Sequence, residues 1–501
     1  MRNIRRQSII SSIVIYIGFA VGMLNTFFFT RHFDTAQYGL TNIFMAIATM
    51  MSAFAMLAMP SYIHKFFPYY KDHLPSRKHD MMTWALIVST IGFMLVMVAG
   101  WLLKGLVIRK FGEHSPQLLT YYYWIFPMGF GLTIYTVLEA FAWNQGKAVF
   151  TTFLKETLWR LLTTVIIVLF ILGVIRDFDL FIKLYSFGFP VLALILFCYL
   201  VFTHRIHFNF KPSKVSKRYV GKIVSFCLFV FSAQVVNAAA QVIDTIVIAS
   251  VLGASPAGIF GLAQIMTSII QAPQRAIIAT AIPHLSRAWK EKNHQLLQKI
   301  YQRSSLNQLI FAAGLFILIV LNYTEAIHTF DLQEGYLTGF NAFIVLGLAR
   351  IVDMGTGLNA QIIGTSNYWR FELASGIILL LIMLPLTYIL TLQYNILGPA
   401  IANLVSLTIF NIIRLFFLWK KFRLFPFTIQ TLYSLLLAGV CFAICYFSFR
   451  GIHGFIGIAL RSFVFMLLYA GVVIYFRLTP DIMPVIETVG KRVGLVKKNK
   501  A

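Results

Sequence analysis

Apolar runs of about twenty residues follow one another along nearly the whole chain, separated by short polar breaks. They lie near 9–30, 38–59, 81–103, 118–141, 153–175, 180–203, 221–250, 256–283, 305–323, 337–361, 370–392, 395–418, 429–449 and 453–476. A helix on the surface of a soluble protein carries a polar stripe along its length. A run of this length without one spans a hydrocarbon core roughly 30 Å thick. The pattern predicts an all-α integral membrane protein of about 14 transmembrane helices. The first run follows Arg2, Arg5 and Arg6, as a signal peptide would. Its length of about 22 residues exceeds a cleavable core, so it reads as the first span.

Composition agrees: 59% of the 501 residues are hydrophobic and 12% charged, with a mean hydropathy of +0.79. Lys and Arg number 42 against 17 Asp and Glu, a net charge of +25. In a soluble chain that balance would suggest nucleic acid. Here no sizeable soluble segment remains to form a binding domain, and Lys and Arg collect in the cytoplasmic loops of membrane proteins. With the N-terminus inside, 30 of them fall in cytoplasmic segments and 6 in external ones, so both termini are expected in the cytoplasm. The loop 324–336 fits the external side, with Glu325, Asp331 and Glu334 and no Lys or Arg. Trp84, Trp101, Trp143, Trp369 and Trp419 sit at run edges, the level amphipathic rings prefer. Segment 284–304 mixes Leu285, Trp289, Leu296, Leu297 and Ile300 with basic residues and is expected along the membrane surface. Cys198, Cys227, Cys441 and Cys445 lie inside apolar runs without ligand or disulfide spacing. No nucleophile, metal or nucleotide motif stands out, so neither enzymatic activity nor a cofactor is expected, while a coupling H+ or Na+ stays open.

Two pairs of loops match one another. HFDTAQYGL (His32–Leu40), between spans 1 and 2, superposes on VLGASPAGI (Val251–Ile259), between spans 7 and 8, pairing Gly39 with Gly258. AWNQGK (Ala142–Lys147) superposes on AQIIGT (Ala360–Thr365), pairing Gly146 with Gly364 at nearly the same offset. Six spans separate the copies, so they form parallel repeats, an arrangement in which the substrate path runs between halves. The expected organisation is an N-lobe over 1–203, a basic linker over 204–222, a C-lobe over 223–418, two further spans over 419–476 and a basic tail over 477–501.

TRHFDTAQYGLTNIF (Thr30–Phe44) and QVIDTIVIASVLGASPAGIFGLAQ (Gln241–Gln264) resemble the corresponding openings of the two halves in the multidrug/oligosaccharidyl-lipid/polysaccharide flippase superfamily. Within it the O-antigen and exopolysaccharide flippases are most similar, although their first turn often reads Leu-Gly where this chain has Phe33-Asp34. The resemblance implies two pseudo-symmetric six-helix lobes plus two C-terminal helices, in a bacterial inner membrane. It implies a flippase for undecaprenyl-pyrophosphate-linked oligosaccharide, moving it from the cytoplasmic to the periplasmic leaflet by alternating access, in company with membrane lipids and polysaccharide polymerase machinery in lipopolysaccharide assembly. A multidrug or toxin extruder, a peptidoglycan-precursor flippase and a membrane-embedded glycosyltransferase are the alternatives. The last would need external loops larger than these.

An ionisable group at the bilayer centre costs roughly 2.5–3.5 kcal/mol on insertion scales, so each one inside a span asks for a cavity or a partner. Arg31, Arg160, Arg275 and Arg350 are candidates for a substrate cavity, and Glu139, Asp244 and Asp353 for ion coupling or gating. Arg414 and Arg461 also lie within runs. Arg350 and Asp353 share a helix face and are expected to pair, either structurally or as a gated charge. Glu156 and Arg160, four apart, are expected to pair likewise. Asp244 reads as a coupling site or as a hydrogen-bonding group between helices. Arg275, between Pro273 and Pro283, and Arg31, at a span end, read as cavity groups or as interfacial anchors. Cations in excess suit an anionic lipid headgroup, because the guanidinium fork binds two phosphate oxygens at once.

Overall fold

The computed structural model describes residues 2–479, so the expected tail lies outside the described residues apart from 477–479. Every regular element among them is helical, and each of the fourteen apolar runs has become helix. The main helices, in chain order, are α1 (Arg2–His32), α2 (Thr35–Ala55), α3 (Met59–His73), α4 (Met81–Leu102), α5 (Ile125–Asn144), α6 (Trp159–Ile171), α7 (Gly188–Phe202), α8 (Lys214–Val251), α9 (Ala254–Lys290), α10 (His294–Thr329), α11 (Phe340–Gly355), α12 (Asn359–Gly364), α13 (Trp369–Tyr394), α14 (Leu397–Phe422), α15 (Ile429–Ser448) and α16 (Gly454–Tyr475). Among the described residues, 12 stretches are individually long and apolar enough to cross a membrane. The two runs outside that set have visible reasons. The fifth is broken by a π-helical turn before α6, and the eighth, α9, is diluted by Gln264, Gln271, Gln274 and Arg275 with Pro273 and Pro283 inside it.

Polar residues set the helix ends. The backbone N–H of Asp34 donates to Gln37 Oε1 in a capping box that opens α2. Ser213 Oγ accepts from the N–H of Ser216 at the start of α8, and Asn293 does the same for Leu296 at the start of α10. Between α2 and α3, Leu57 (φ 45°) and Ala58 (φ 60°) sit in the left-handed region, which non-glycine residues avoid, and one helix gives way to the next there through a short bend.

The chain forms two compact units, Met1–Gly261 and Leu262–Ala501. In the first, α2 packs between α5 and α8, α7 lies along α5, and α1 lies along α6 and the π turn. In the second, α14 packs between α11 and α13, and α10 meets α11, α15 and α16. Segment 284–304 packs its apolar residues against protein. It is the end of α9 and the start of α10. Leu285 and Leu297 are fully buried with Leu358, Ile362 and Leu418, and Trp289 Nε1 donates to the carbonyl of Ile362 at 3.0 Å. Burial against protein took the apolar residues that the sequence offered to lipid.

Within the first unit the two copies of the first repeat touch. A Cβ on Gly39 would overlap the carbonyl oxygen of Ala254, and one on Gly258 would overlap that of Thr35. Thr35 Oγ1 and Ser255 Oγ share a hydrogen bond of 2.7 Å. Only glycine on both sides lets the start of α2 and the start of α9 meet backbone to backbone. The second repeat does not keep its geometry: Gly146 takes φ +72° in a turn, whereas Gly364 is the last residue of α12.

The basic stretch before α8 is fastened to the first unit. Asp80 is fully buried, and its Oδ2 accepts from Ser213 N at 2.8 Å and Ser216 Oγ at 2.7 Å. Ser216 Oγ has its proton on Asp80, so it accepts from Tyr70 OH (2.6 Å), which in turn accepts from Tyr62 OH (2.8 Å). Burial pushes both phenols above the ordinary tyrosine range, which keeps them protonated as this chain of donors requires.

Candidate functional site

One π-helical turn, Phe153–Leu158, precedes α6. Such a turn displaces the backbone ladder by a residue and recurs at functional sites. Arg160 Nη1 donates to the carbonyl of Glu156 at 2.7 Å and to its carboxylate at 2.9 Å, so one guanidinium steadies the turn and carries an ion pair. The expected Glu156–Arg160 pair is thus present. Helix α1 supports it from behind: a Cβ on Gly22 would stand 2.9 Å from Arg160 Nε. Asn25 Nδ2 donates to the Arg160 carbonyl at 2.8 Å, and Asn25 Oδ1 accepts from Thr164 Oγ1 at 2.6 Å.

The turn presents its charges to a cavity of about 500 Å³ between α2, α5, α6 and α8. Lys155, Glu156, Trp159 and Arg160 line one wall; Thr49, Ser52, Met56 and Thr136 line the next; Gln234, Asn237 and Gln241 line a third. Those three amides are spaced three and four apart on α8 and share one face. Gln234 Oε1 is buried without a hydrogen-bond partner among the described residues. Lys155 Nζ reaches Glu139 Oε2 at 3.2 Å, with Glu139 largely buried and Lys155 more open. Trp159 is held by stacking on Phe189, ring centroids 4.5 Å apart. The arrangement offers two cations backed by carboxylates, three amides and an indole. That set can hold an anionic group and hydrogen-bond to hydroxyls beside it.

The other sequence candidates are dispersed. Arg31 is exposed at the end of α1, 6.0 Å from the Phe27 ring, and Asp244 is buried on α8. In the second unit Arg275 is exposed on α9. Arg350 and Asp353 make no ion pair among the described residues, although the expectation was that they would. Asp353 Oδ1 accepts from Asn411 Nδ2 at 3.1 Å, and Arg350 Nε is buried without a partner. Spacing three places both on one face, but an amide from α14 is nearer to the carboxylate in register. Asn411 Oδ1 in turn accepts from Asn359 (2.7 Å) and Thr356 (3.0 Å). Beside this network Arg414 pairs with Glu372 and lies 3.5 Å over the Phe410 ring. Arg461 is a clamp at the far end of α10, donating to Glu325, to Leu321 O and to Ile452 O. Of the intramembrane charges read from the sequence, Arg160 therefore lines this cavity, and Glu139 stands behind it through Lys155. Lys155, Gln234, Asn237 and Gln241 join them unannounced. Lys155 stands at the very start of its run and falls within the cytoplasmic charge count, and the amides carry no formal charge to draw notice; their shared helical face was the available signal.

A bundle of this kind defines a multi-pass membrane protein with a transporter fold, and solved structures agree. The chain is similar to the lipid II flippase MurJ in its inward closed conformation, with 16% identity and a TM-score of 0.74 over 94% of this chain and 99% of that one. It is also similar to an inward-facing multidrug resistance MATE family transporter of the MOP superfamily, with 14% identity and a TM-score of 0.61 over 87% and 98%. A MOP superfamily transporter from Pyrococcus furiosus follows at 16% identity and 0.54, over 83% and 95%. Among curated proteins none matches the sequence. Residues 4–289 match the polysaccharide biosynthesis protein family, more than half of the chain, and the protein belongs to that family.

Proposed function

We propose that the protein is a flippase carrying an undecaprenyl-pyrophosphate-linked oligosaccharide from the cytoplasmic to the periplasmic leaflet of a bacterial inner membrane. The observation that supports this reading most is the pairing, in one cavity, of Lys155 and Arg160 with the amides of α8 and the Trp159 ring. The cations suit pyrophosphate oxygens. The amides, one with an oxygen still unpartnered, suit sugar hydroxyls, because a buried polar group left unpaired is costly. Glu156 and Glu139 hold the cations in place until phosphate competes for them. The contact of Gly39 with Gly258 supplies a closure that must part for release on the other side, which is the alternating-access part of the proposal. The distribution of Lys and Arg supports both termini in the cytoplasm.

Deletion of the gene tests the reading. Lipid-linked oligosaccharide should accumulate on the cytoplasmic leaflet and the surface polymer should disappear. An unchanged polymer in a strain without a second flippase would overturn it. A second reading, a peptidoglycan-precursor lipid as cargo, is favoured by the likeness to the lipid II flippase over 94% of the chain. Rescue of a strain depleted of that flippase would select it over the first.

A further inference from the structure

A second cleft in the first unit, sharing no lining residue with the polar cavity, has the make-up of a lipid site. Its volume is about 690 Å³, and it lies between the bend before α3, α4 and the first half of α8. Its body is apolar: Leu57, Val88, Val224, Cys227, Leu228 and Phe231. At one end stand Ser216 and Lys217, where the chain passes from the basic stretch 204–222 into the apolar part of α8.

Charge at that end is one-sided. The first turns of α8 hold Lys214, Lys217, Arg218 and Lys222 and no acidic residue. Arg218 and Lys222 lie against the Tyr219 ring, and Lys65 lies over Phe226 at 3.8 Å. Among the described residues the ammonium groups of Lys214 and Lys217 have no acidic or aromatic partner, and both residues are exposed. Asp80, the carboxylate bound to this helix start, is fully buried and its Oδ2 is taken by Ser213 and Ser216. The helix N-terminus adds positive potential of its own. One free cation lining the mouth of an apolar cleft, Lys217, with a second, Lys214, three residues before it on the same helix face, matches the outline of one molecule: a phosphate above a hydrocarbon chain. The cleft has room for such a chain, and its one indole, Trp84, has no amide beside it to hold a glycan.

We propose that this cleft holds a hydrocarbon chain of an anionic glycerophospholipid, with its headgroup phosphate on Lys214 and Lys217. The site is independent of the transported cargo, so its test reads lipid retention and not transport. The full-length protein is reconstituted in nanodiscs of phosphatidylcholine containing phosphatidylglycerol with a photoactivatable chain. Cross-links should map to residues 212–231. Charge reversal in the double variant Lys214→Glu with Lys217→Glu should lower labelling roughly tenfold by removing the headgroup contacts. Leu228→Trp, at an exposed position on the cleft wall, should lower it by filling the cleft. Equal labelling by a phosphatidylcholine probe, or labelling unchanged in both variants, overturns the proposal. So does displacement by equimolar undecaprenyl phosphate, which would assign the cleft to the carrier lipid instead.

Discussion

Arg160 does two jobs with one guanidinium, and the two separate under mutation. Its Nη1 steadies the π turn through the Glu156 carbonyl and pairs with the Glu156 carboxylate facing the cavity. Arg160→Ala should abolish transport at normal membrane abundance, and Arg160→Lys should retain part of it, since the charge persists without the bidentate fork. A translocation assay corrected for protein level checks both, and full activity of Arg160→Ala would remove this residue from the cargo site. In the second unit the Arg414–Glu372 pair gives a stability prediction. Arg414 is buried, so Arg414→Met should cost roughly 3–5 kcal/mol by stranding the carboxylate. Adding Glu372→Leu should recover most of that loss, because no lone charge then remains. Thermal unfolding in detergent reads the result, and a double variant no more stable than the single would deny the pair its structural role.

At the scale of elements, the apolar runs foretold the helices because one property, length without a polar break, decides whether a segment crosses lipid. What they left out is what single positions do within a helix. The π turn at Phe153–Leu158 has no periodicity of its own. The bend at Leu57 and Ala58 has neither glycine nor an internal proline at the residues that turn, and only Pro60 beyond them hints at it. Partner choice across helices was equally invisible: Arg350 and Asp353 are neighbours in spacing, yet Asp353 takes Asn411 from α14. The repeat was legible as glycine pairs at nearly a common offset, and in the first pair, Gly39 and Gly258, the residues touch. Gly39→Ala should therefore cost about 1–3 kcal/mol, the usual range for overpacking, with transport lost in parallel. Cysteines at Thr35 and Ser255, whose hydroxyl oxygens stand 2.7 Å apart, should form a disulfide under oxidation and stop transport until reduced. Transport that continues in the oxidised protein would mean that this contact need not open. Ala58→Gly should raise the melting temperature by a stability increment of up to about 1 kcal/mol, since glycine alone holds φ +60° without steric penalty.

For the molecule as a whole, the membrane fixes what the chain is and the cavity fixes what it does. Charge segregation of 30 to 6 predicts that tags after residues 75, 215 and 295 report the cytoplasm and a tag near 330 the opposite side. A periplasmic report from 215 would contradict that orientation. The central claim is that the protein moves a lipid-linked glycan, using the cations and amides around the π turn. The most direct measurement is translocation itself: purified protein in liposomes, a fluorescent undecaprenyl-pyrophosphate oligosaccharide in both leaflets, and a membrane-impermeant quencher outside. Wild-type protein should equilibrate the lipid between leaflets, while Arg160→Ala, reconstituted at equal density, should leave the inner pool protected. Equal protection with and without wild-type protein, or equal flipping by Arg160→Ala, would contradict the account.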